Sequence, residues 1–284
     1  MISCSFVSDL HGHIDRYHKL FDHVAREHPA ALFIGGDILP SAIAENHSGD
    51  GDFINDFLKV EFNRLRDNTG PDYPRIFLIL GNDDGRYGEK DIIEMDNDGL
   101  WTYVHGRRVM FDQYQVYGYA YIPPSPYLLK DWERYDISRY VDPGCISPEE
   151  GIRTVTVSVR QKKHATIETD LKELTGDDNL DRAVCLFHTP PYRTNLDRAD
   201  LEGVMVDHVP LDISVGSIAV RRFIGTRQPL VTLHGHIHES TRLTGTWRDR
   251  IGRTLCFTAA HDGPELAVVR FDLDCPENAE RVLI

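Results

Sequence analysis

Three short apolar runs near the start of the chain each end at a polar side chain. The runs cover residues 2–8, 30–36 and 75–80. The polar side chains that follow them are Asp9, Asp37 and Asn82. Apolar strands separated by helices are typical of a parallel sheet that is covered on both faces. Ligands of such sheets bind beyond the carboxyl ends of the strands, where these three side chains fall.

Helical spacing and further apolar runs extend this pattern along the chain. The segments with helical spacing are 14–24, 53–65, 167–174 and 217–226. Two later apolar runs, 183–187 and 230–233, lead toward His188 and His236. Alternation over 109–122 predicts strands of a second sheet, and 254–273 predicts closing antiparallel strands. Because polar strand ends occur in both halves of the chain, we predict one domain over residues 1–284.

Residues 123–150 interrupt the strand pattern and are rich in Pro, Tyr and Asp. A long segment of this composition predicts an ordered surface excursion, and long ordered loops are often functional. We expect an insertion or lid around residues 123–180. Its aromatic side chains, among them Tyr127 and Trp132, are expected mainly to pin it to the core, with stacking on a substrate ring as the alternative.

Charge and cysteine content exclude several classes of protein. The formal net charge is −14, from 45 acidic and 31 basic side chains, which disfavours a polymeric nucleic acid as partner. The five cysteines form no C-x-x-C pair, so a disulfide framework or zinc knuckle is not expected. No basic leader or membrane-length apolar stretch is present, so we expect a cytoplasmic protein without a membrane partner. The oligomeric state stays open.

Five polar clusters punctuate the predicted strand ends. They are Asp9-Leu10-His11, Gly36-Asp37, Gly81-Asn82, His188 and Gly235-His236-Ile237-His238. Each alone fits a turn, a helix cap or a structural histidine. Together they supply the carboxylate, imidazole and amide donors that suit Mn, Fe or Zn. Because the set exceeds what one ion needs, we predict two ions that share a carboxylate.

The ordered motifs D-x-H, G-D, G-N, H and G-H-x-H resemble those of the calcineurin-like metallophosphoesterases. They span Asp9 to His238, and residues 188–192 with Gly216-Ser217 resemble the bacterial and archaeal phosphodiesterase-type branch. The resemblance implies an α/β fold, a four-layer α/β/β/α sandwich of two mixed sheets. It also implies hydrolysis of a small phosphate ester by attack of a metal-bridging hydroxide on phosphorus.

The resemblance also implies a ligand set for two divalent transition-metal ions, Mn²⁺ foremost, with Fe or Zn as alternatives. The implied ligands of the first ion are Asp9, His11 and His238. The implied ligands of the second ion are Asn82, His188 and His236. Asp37 is expected to bridge both ions. Asn82 and His188 are also expected to contribute to catalysis, together with Asp83.

Asp83 stands where many members of the family have the histidine that protonates the leaving oxygen. An aspartate is ionised at neutral pH and is a poor proton donor. We therefore predict a phosphoric ester hydrolase that favours phosphodiesters over phosphomonoesters. The alternative is a scaffold or regulatory protein of the same fold with weak catalysis, against which the full ligand set argues.

Four other residues near the motifs stay open. His13 begins a predicted helix, where a cap or surface role is favoured over catalysis. His234 precedes the G-H-x-H motif and is expected to pack in a strand or beside the ligands. Arg86 and Arg193 lie in loops beside ligand motifs, and a guanidinium can pair with a phosphate through two hydrogen bonds.

Overall fold

A computed structural model describes residues 2–42 and 52–284. Its first sheet has the strand order β14-β13-β1-β2-β3-β4, with β1 parallel to β2 and antiparallel to β13. The strands of this sheet are β1 Ser3–Val7, β2 Ala31–Gly35, β3 Arg75–Ile79, β4 Thr102–Tyr103, β13 Ala267–Asp272 and β14 Glu280–Leu283. β1 to β3 are almost wholly buried, which explains their continuous apolar sequence.

The second sheet has the strand order β11-β12-β10-β7-β6-β5 and packs against the first. Its strands are β5 Arg108–Phe111, β6 Tyr114–Tyr119, β7 Ala183–Phe187, β10 Val231–His234, β11 Arg248–Ile251 and β12 Thr254–Thr258. Both sheets are mixed, so the predicted α/β sandwich of two mixed sheets is confirmed. The expectation of purely antiparallel strands over 254–273 is wrong for β12, which pairs in parallel with β10 and antiparallel only with β11.

The α-helices lie between strands along the chain, and the longer ones contribute buried apolar side chains to the core. The helices are α1 Ile14–Glu27, α2 Lys59–Thr69, α3 Glu89–Asn97, α4 Val159–His164, α5 Ile167–Thr175, α6 Ile218–Arg227 and α7 Ser240–Thr244. A π-helical segment, Phe53–Leu58, leads into α2. The aromatic rings of Phe21 and Phe62 join α1 to α2, with centroids 5.1 Å apart. The apolar patterns of α3, α4 and α7 are too weak to predict these short helices from the sequence.

A further element lies outside the two six-stranded sheets. A small hairpin of β8 Met205–Val206 and β9 Val209–Pro210 lies between β7 and α6 and was not predicted. Within residues 2–42 and 52–284, no helix is both long enough and apolar enough to cross a bilayer.

Residues 123–150 form an irregular segment held by buried contacts. Trp132 is fully buried, with its ring 5.0 Å from that of His105, so the alternative that it stacks on a substrate ring is wrong. Tyr127 and Tyr140 are 59% and 68% exposed, so they do not pin the segment to the core. Lys130, which is fully buried, donates to Glu133 at 2.6 Å. Tyr135 is also buried, at 3% exposure, so charge pairing and two large aromatic side chains anchor this segment.

Candidate metal centre

Two groups of donor side chains lie where the carboxyl ends of strands from both sheets meet. The first group is Asp9, His11 and His238. The second group is Asp37, His188 and His236. Within each group, one donor atom per residue lies within 4.8 Å of the others. The structure therefore brings together the residues that the five sequence motifs singled out from distant parts of the chain.

Asp37 connects the two groups. Its Oδ2 atom is 3.2 Å from His188 Nε2 and 4.0 Å from His11 Nε2. The other oxygen, Oδ1, accepts a hydrogen bond of 2.7 Å from the backbone N–H of Asp83. Asn82 Oδ1 is 2.9 Å from His188 Nε2, which adds the amide to the second group. One carboxylate oxygen thus faces donors of both groups while the other is held by the backbone.

The first group has the chemistry of a cation site. His11 Nε2 and His238 Nε2 are only 3.2 Å apart, and His238 Nε2 is 3.4 Å from Asp9 Oδ1. Two ring nitrogens and a carboxylate oxygen that converge in this way form a nitrogen and oxygen donor set that suits Mn, Fe or Zn. Asp9 and Asp37 are also almost fully buried, and buried carboxylates require a compensating positive charge. The donor set therefore fits two divalent cations.

Burial and charge pull the ionisation of these groups in opposite directions. Burial raises the pKa of Asp37, but the charge of His188, its hydrogen bond and the charge of His11 together lower the pKa to about 2. Burial lowers the pKa of His188, but the charge and hydrogen bond of Asp37 together with the charge of Asp9 raise it to about 9. The pKa of His236 falls to about 3, mainly because the ring is buried. The buried carboxylates thus attract positive charge to the centre, as a cation would supply.

Four of the donor residues have left-handed backbone conformations. The φ angles are 58° at Asp9, 48° at His11, 50° at Asp37 and 74° at His236. Residues other than glycine seldom adopt this conformation, although Asp and His do so more readily than most. Such outliers concentrate at functional sites, where the surrounding structure holds them in place. The tight turns after β1, β2 and β10 thus aim these side chains into the space between the sheets.

Two residues that hydrogen-bond to the candidate ligands or to the loops that carry them were not predicted from the sequence. Ser8 Oγ donates to Asp9 Oδ2 at 2.5 Å. The fully buried carboxylate of Asp84 accepts from the backbone N–H groups of Ile38, Leu39 and Gly81 at 3.2, 2.7 and 2.8 Å. It therefore ties the loop that follows Asp37 to the loop that carries Asn82. The only sequence signal for Asp84 is a second acidic residue after Gly-Asn, which resembles an ordinary turn.

The histidines outside the metal motifs have other surroundings. His13 is exposed and precedes α1 without a capping hydrogen bond from its side chain. His234 is buried, and its nitrogens lie 2.9 Å from the carbonyl oxygen of Thr189 and 2.8 Å from Thr232 Oγ1. Burial lowers the pKa of His234 to about 4. His234 therefore lies buried at the end of β10, which agrees with the expectation that it packs in a strand.

The two loop arginines are engaged with neighbouring side chains. Arg86 donates to Glu89 Oε2 at 2.8 Å and to the Tyr121 hydroxyl at 2.9 Å. Its guanidinium also lies 4.9 Å from the centre of the Trp132 ring. Arg193 is exposed, and its guanidinium lies over the ring of its neighbour Tyr192. Arg86 therefore has a structural role in joining the loop after Asn82 to the irregular segment.

Gly81 occupies a position where no side chain fits. A Cβ atom there would contact the carboxylate of Asp37 and would lie 2.7 Å from the His188 ring. We expect Gly81→Ala to weaken Mn²⁺ binding about 10–100-fold, the range seen when the surroundings of metal ligands are disturbed. Calorimetric titration of the metal-free protein measures this effect.

Gly225→Ala is the matched control for that substitution. Gly225 is exposed in α6, and a Cβ atom would meet nothing within 4 Å. Because alanine favours helix more than glycine does, this variant should keep its Mn²⁺ affinity and gain about 0.5–1 kcal/mol of stability. Equal Mn²⁺ affinity in Gly81→Ala and Gly225→Ala would contradict the described packing around Asp37.

Comparison with known proteins agrees with this geometry. The calcineurin-like phosphoesterase family matches residues 5–240. No curated protein matches the chain. Among solved structures, TT1561 of Thermus thermophilus is 16% identical with a TM-score of 0.56, and the alignment covers 99% of this chain and 98% of that one. A dimetal phosphatase from Danio rerio is 13% identical with a TM-score of 0.52, and the alignment covers 100% and 98% of the two chains.

The structural likenesses, at such low identity, establish a shared fold. The family match goes further, because residues 5–240 include every donor residue from Asp9 to His238. It confirms the family resemblance drawn from the strand-end motifs. The chain belongs to the calcineurin-like phosphoesterase family.

Proposed function

We propose that the chain is a two-metal phosphoesterase that hydrolyses phosphodiesters or other small phosphate esters. The observation that carries this proposal is the position of Asp37, whose Oδ2 atom faces His188 on one side and His11 on the other. A carboxylate between two sets of donors suits a pair of divalent cations. The family is one of metal-dependent phosphoesterases, which supports the class of reaction.

The proposed ligands divide between the two cations as follows. Asp9, His11 and His238 would hold the first, Asn82, His188 and His236 the second, and Asp37 both. We propose Mn²⁺, with Fe or Zn as alternatives that the same donors accept. When bound, the two cations would supply Lewis acidity, which draws charge from the phosphoryl oxygens and acidifies water.

The side chains of the centre would act by orientation and charge. His188 is held by a 2.8 Å contact between Nδ1 and the carbonyl oxygen of Gly35, which leaves Nε2 facing Asp37 and Asn82. The backbone N–H of Asp83 fixes Asp37 Oδ1 and so fixes the direction of Oδ2. These contacts hold the donors before substrate arrives, and such preorganisation lowers the barrier to reaction.

We also infer that residues 123–180 form an insertion within a single domain and border the substrate site. The loop that carries Asn82 supports this, because the Arg86 backbone N–H donates to Asp131 Oδ2 at 2.9 Å. The irregular segment also reaches the start of α6, where Asp136 Oδ1 accepts from Ser217 Oγ at 2.6 Å. Burial and the nearby charges of Glu239, Asp83 and Asp37 raise the pKa of Tyr127, so this partly exposed side chain is close enough to the centre to meet a substrate.

The carboxylate of Asp83 favours substrates with low charge and good leaving groups. A phosphomonoester carries about −1.5 to −2 charges at pH 7, judged from phosphoamino acids, whereas a diester carries one. We therefore expect an aryl diester such as bis(4-nitrophenyl) phosphate to be hydrolysed with a higher kcat/KM than an alkyl monoester such as glycerol phosphate. A substrate panel with Mn²⁺ and with a chelator measures the preference, and preference for the alkyl monoester would contradict it.

The same panel separates this function from its alternatives. A scaffold or regulatory protein of the same fold would bind Mn²⁺ but hydrolyse none of the esters. A nuclease acting on long polymers would bind polynucleotides with strong salt dependence. The net charge of −14 argues against that second alternative, and we propose a small-molecule substrate.

A further inference from the structure

We propose that Asp83 is a positioning residue: it holds His11 in the orientation and tautomer that bind the first cation, and it does not donate a proton to the leaving group. This inference rests on the proposed function, because it assigns a role within the same centre. It differs from the expectation that the residue after Asn82 takes part in catalysis directly.

Both oxygens of the Asp83 side chain have a polar partner within the protein. Oδ2 lies 3.3 Å from His11 Nδ1, and Oδ1 accepts a hydrogen bond of 2.9 Å from Ser41 Oγ. The side chain is 30% exposed, so it lies at the mouth of the centre. These two contacts direct the carboxylate toward His11 and Ser41.

The contact with Asp83 decides which nitrogen of His11 is free. A neutral imidazole has one N–H and one lone pair, on different nitrogens. If Nδ1–H donates to Asp83, the lone pair is on Nε2, which lies 3.2 Å from His238 Nε2 and 4.0 Å from Asp37 Oδ2. The nitrogen that faces the other donors is thus the one that can bind a cation. A carboxylate partner also raises the basicity of a ligating imidazole.

His188 shows the same arrangement with a different partner. Its Nδ1 lies 2.8 Å from the carbonyl oxygen of Gly35, and its Nε2 faces Asp37. The second group of donors thus uses a backbone carbonyl where the first group uses the Asp83 side chain. Substitution of Asp83 removes the partner of His11, whereas the backbone carbonyl that contacts His188 stays in place. A variant at Asp83 should therefore weaken the binding of one cation more than that of the other.

The backbone of Asp83 fixes its carboxylate in place. The N–H donates to Asp37 Oδ1 at 2.7 Å, and the carbonyl oxygen accepts from the N–H of Ala42 at 3.3 Å. The next residue, Asp84, is fully buried and bonded to backbone N–H groups. Asp83 is therefore part of a rigid connection between Asp37 and His11, which is what a positioning role requires.

Titration of Mn²⁺ into metal-free protein tests the proposal. We expect wild type to show two binding events. In Asp83→Ala, one event should weaken about 10–100-fold, the usual cost of losing a partner of a metal ligand, while the other stays unchanged. Asp83→Asn, which keeps the shape and a neutral acceptor, should weaken the same event by a smaller factor. Asp15→Asn, an exposed aspartate in the first turn of α1, is the matched control.

Hydrolysis measured against Mn²⁺ concentration separates positioning from proton donation. We expect excess Mn²⁺ to restore most activity of Asp83→Asn, by a similar factor for an aryl and an alkyl diester. A loss that persists at saturating Mn²⁺ and is larger for the alkyl ester would show a proton donor and overturn the proposal. So would two unchanged binding events in both variants. If wild type hydrolyses neither ester, the proposed function fails, while the titration still decides the role of Asp83.

Discussion

Asp37→Asn is expected to bind fewer than two transition-metal ions per chain and to lose roughly 10³-fold or more in phosphoesterase activity. A metal ion contributes several kcal/mol of transition-state stabilisation, and each 1.4 kcal/mol corresponds to a factor of about ten in rate. An amide has no charge and offers one oxygen, so it cannot replace a carboxylate that faces donors on both sides. Elemental analysis after reconstitution with Mn²⁺, combined with hydrolysis of an aryl diester, measures both effects.

Asp112→Asn is the matched control for Asp37→Asn. Asp112 has the same left-handed φ of 50° but is exposed in the turn between β5 and β6. The same change of side chain on the same backbone conformation should there leave metal content and activity unaltered. Two ions per chain and undiminished hydrolysis in Asp37→Asn would refute the proposed bridging role of Asp37.

Trp132→Ala is expected to destabilise the protein by about 3–5 kcal/mol, the usual cost of removing a large aromatic side chain from a core. Trp132 is fully buried, and its ring lies 5.0 Å from His105, 5.4 Å from Tyr121 and 4.9 Å from the Arg86 guanidinium. Chemical denaturation at 25 °C measures the loss. Since Arg86 lies in the connection between Asn82 and α3, the variant should also raise KM.

Tyr140→Ala is the control for the irregular segment. The Tyr140 side chain is 68% exposed, so its removal should change the free energy of unfolding by less than about 0.5 kcal/mol. A similarly small change in Trp132→Ala would show that the segment does not depend on the buried ring. In that case the contacts of Lys130 with Glu133 and of Asp131 with Arg86 would be its main anchors.

That these side chains lie close together could be predicted from the sequence, because most of them stand at or just beyond the end of an apolar strand. Asp9, Asp37 and His188 stand out for that reason, and strand ends in a parallel sheet meet at one edge. The parallel pairing of β12 with β10 could not be predicted, since a short strand gives no sign of its partner's direction. The roles of Ser8 and Asp84 could not be predicted for a related reason. They depend on which polar groups the fold brings near these two side chains.

Asp83 shows the limit of reading chemistry from sequence position. The sequence has an acidic side chain where the family resemblance implies an imidazole, and this predicts a poor proton donor. It does not indicate that the carboxylate lies beside His11, because residues 11 and 83 meet only when the loops after β1 and β3 come together. The sequence alone suggests that a proton donor is missing at this position. The contact in the folded protein supports a different role for Asp83, as the hydrogen-bond partner of His11.

Four residues of the metal centre have left-handed backbone conformations that lower the stability of the fold. They are Asp9, His11, Asp37 and His236. Each such conformation costs of the order of 1 kcal/mol or more for a residue other than glycine. Glycine would adopt the same φ angles without this cost but would supply no ligand. Selection for a higher melting temperature alone should therefore enrich glycine at these four turns, whereas selection for turnover should retain aspartate and histidine. The turns of the metal centre are thus places where evolution for heat tolerance and evolution for hydrolysis would choose different amino acids.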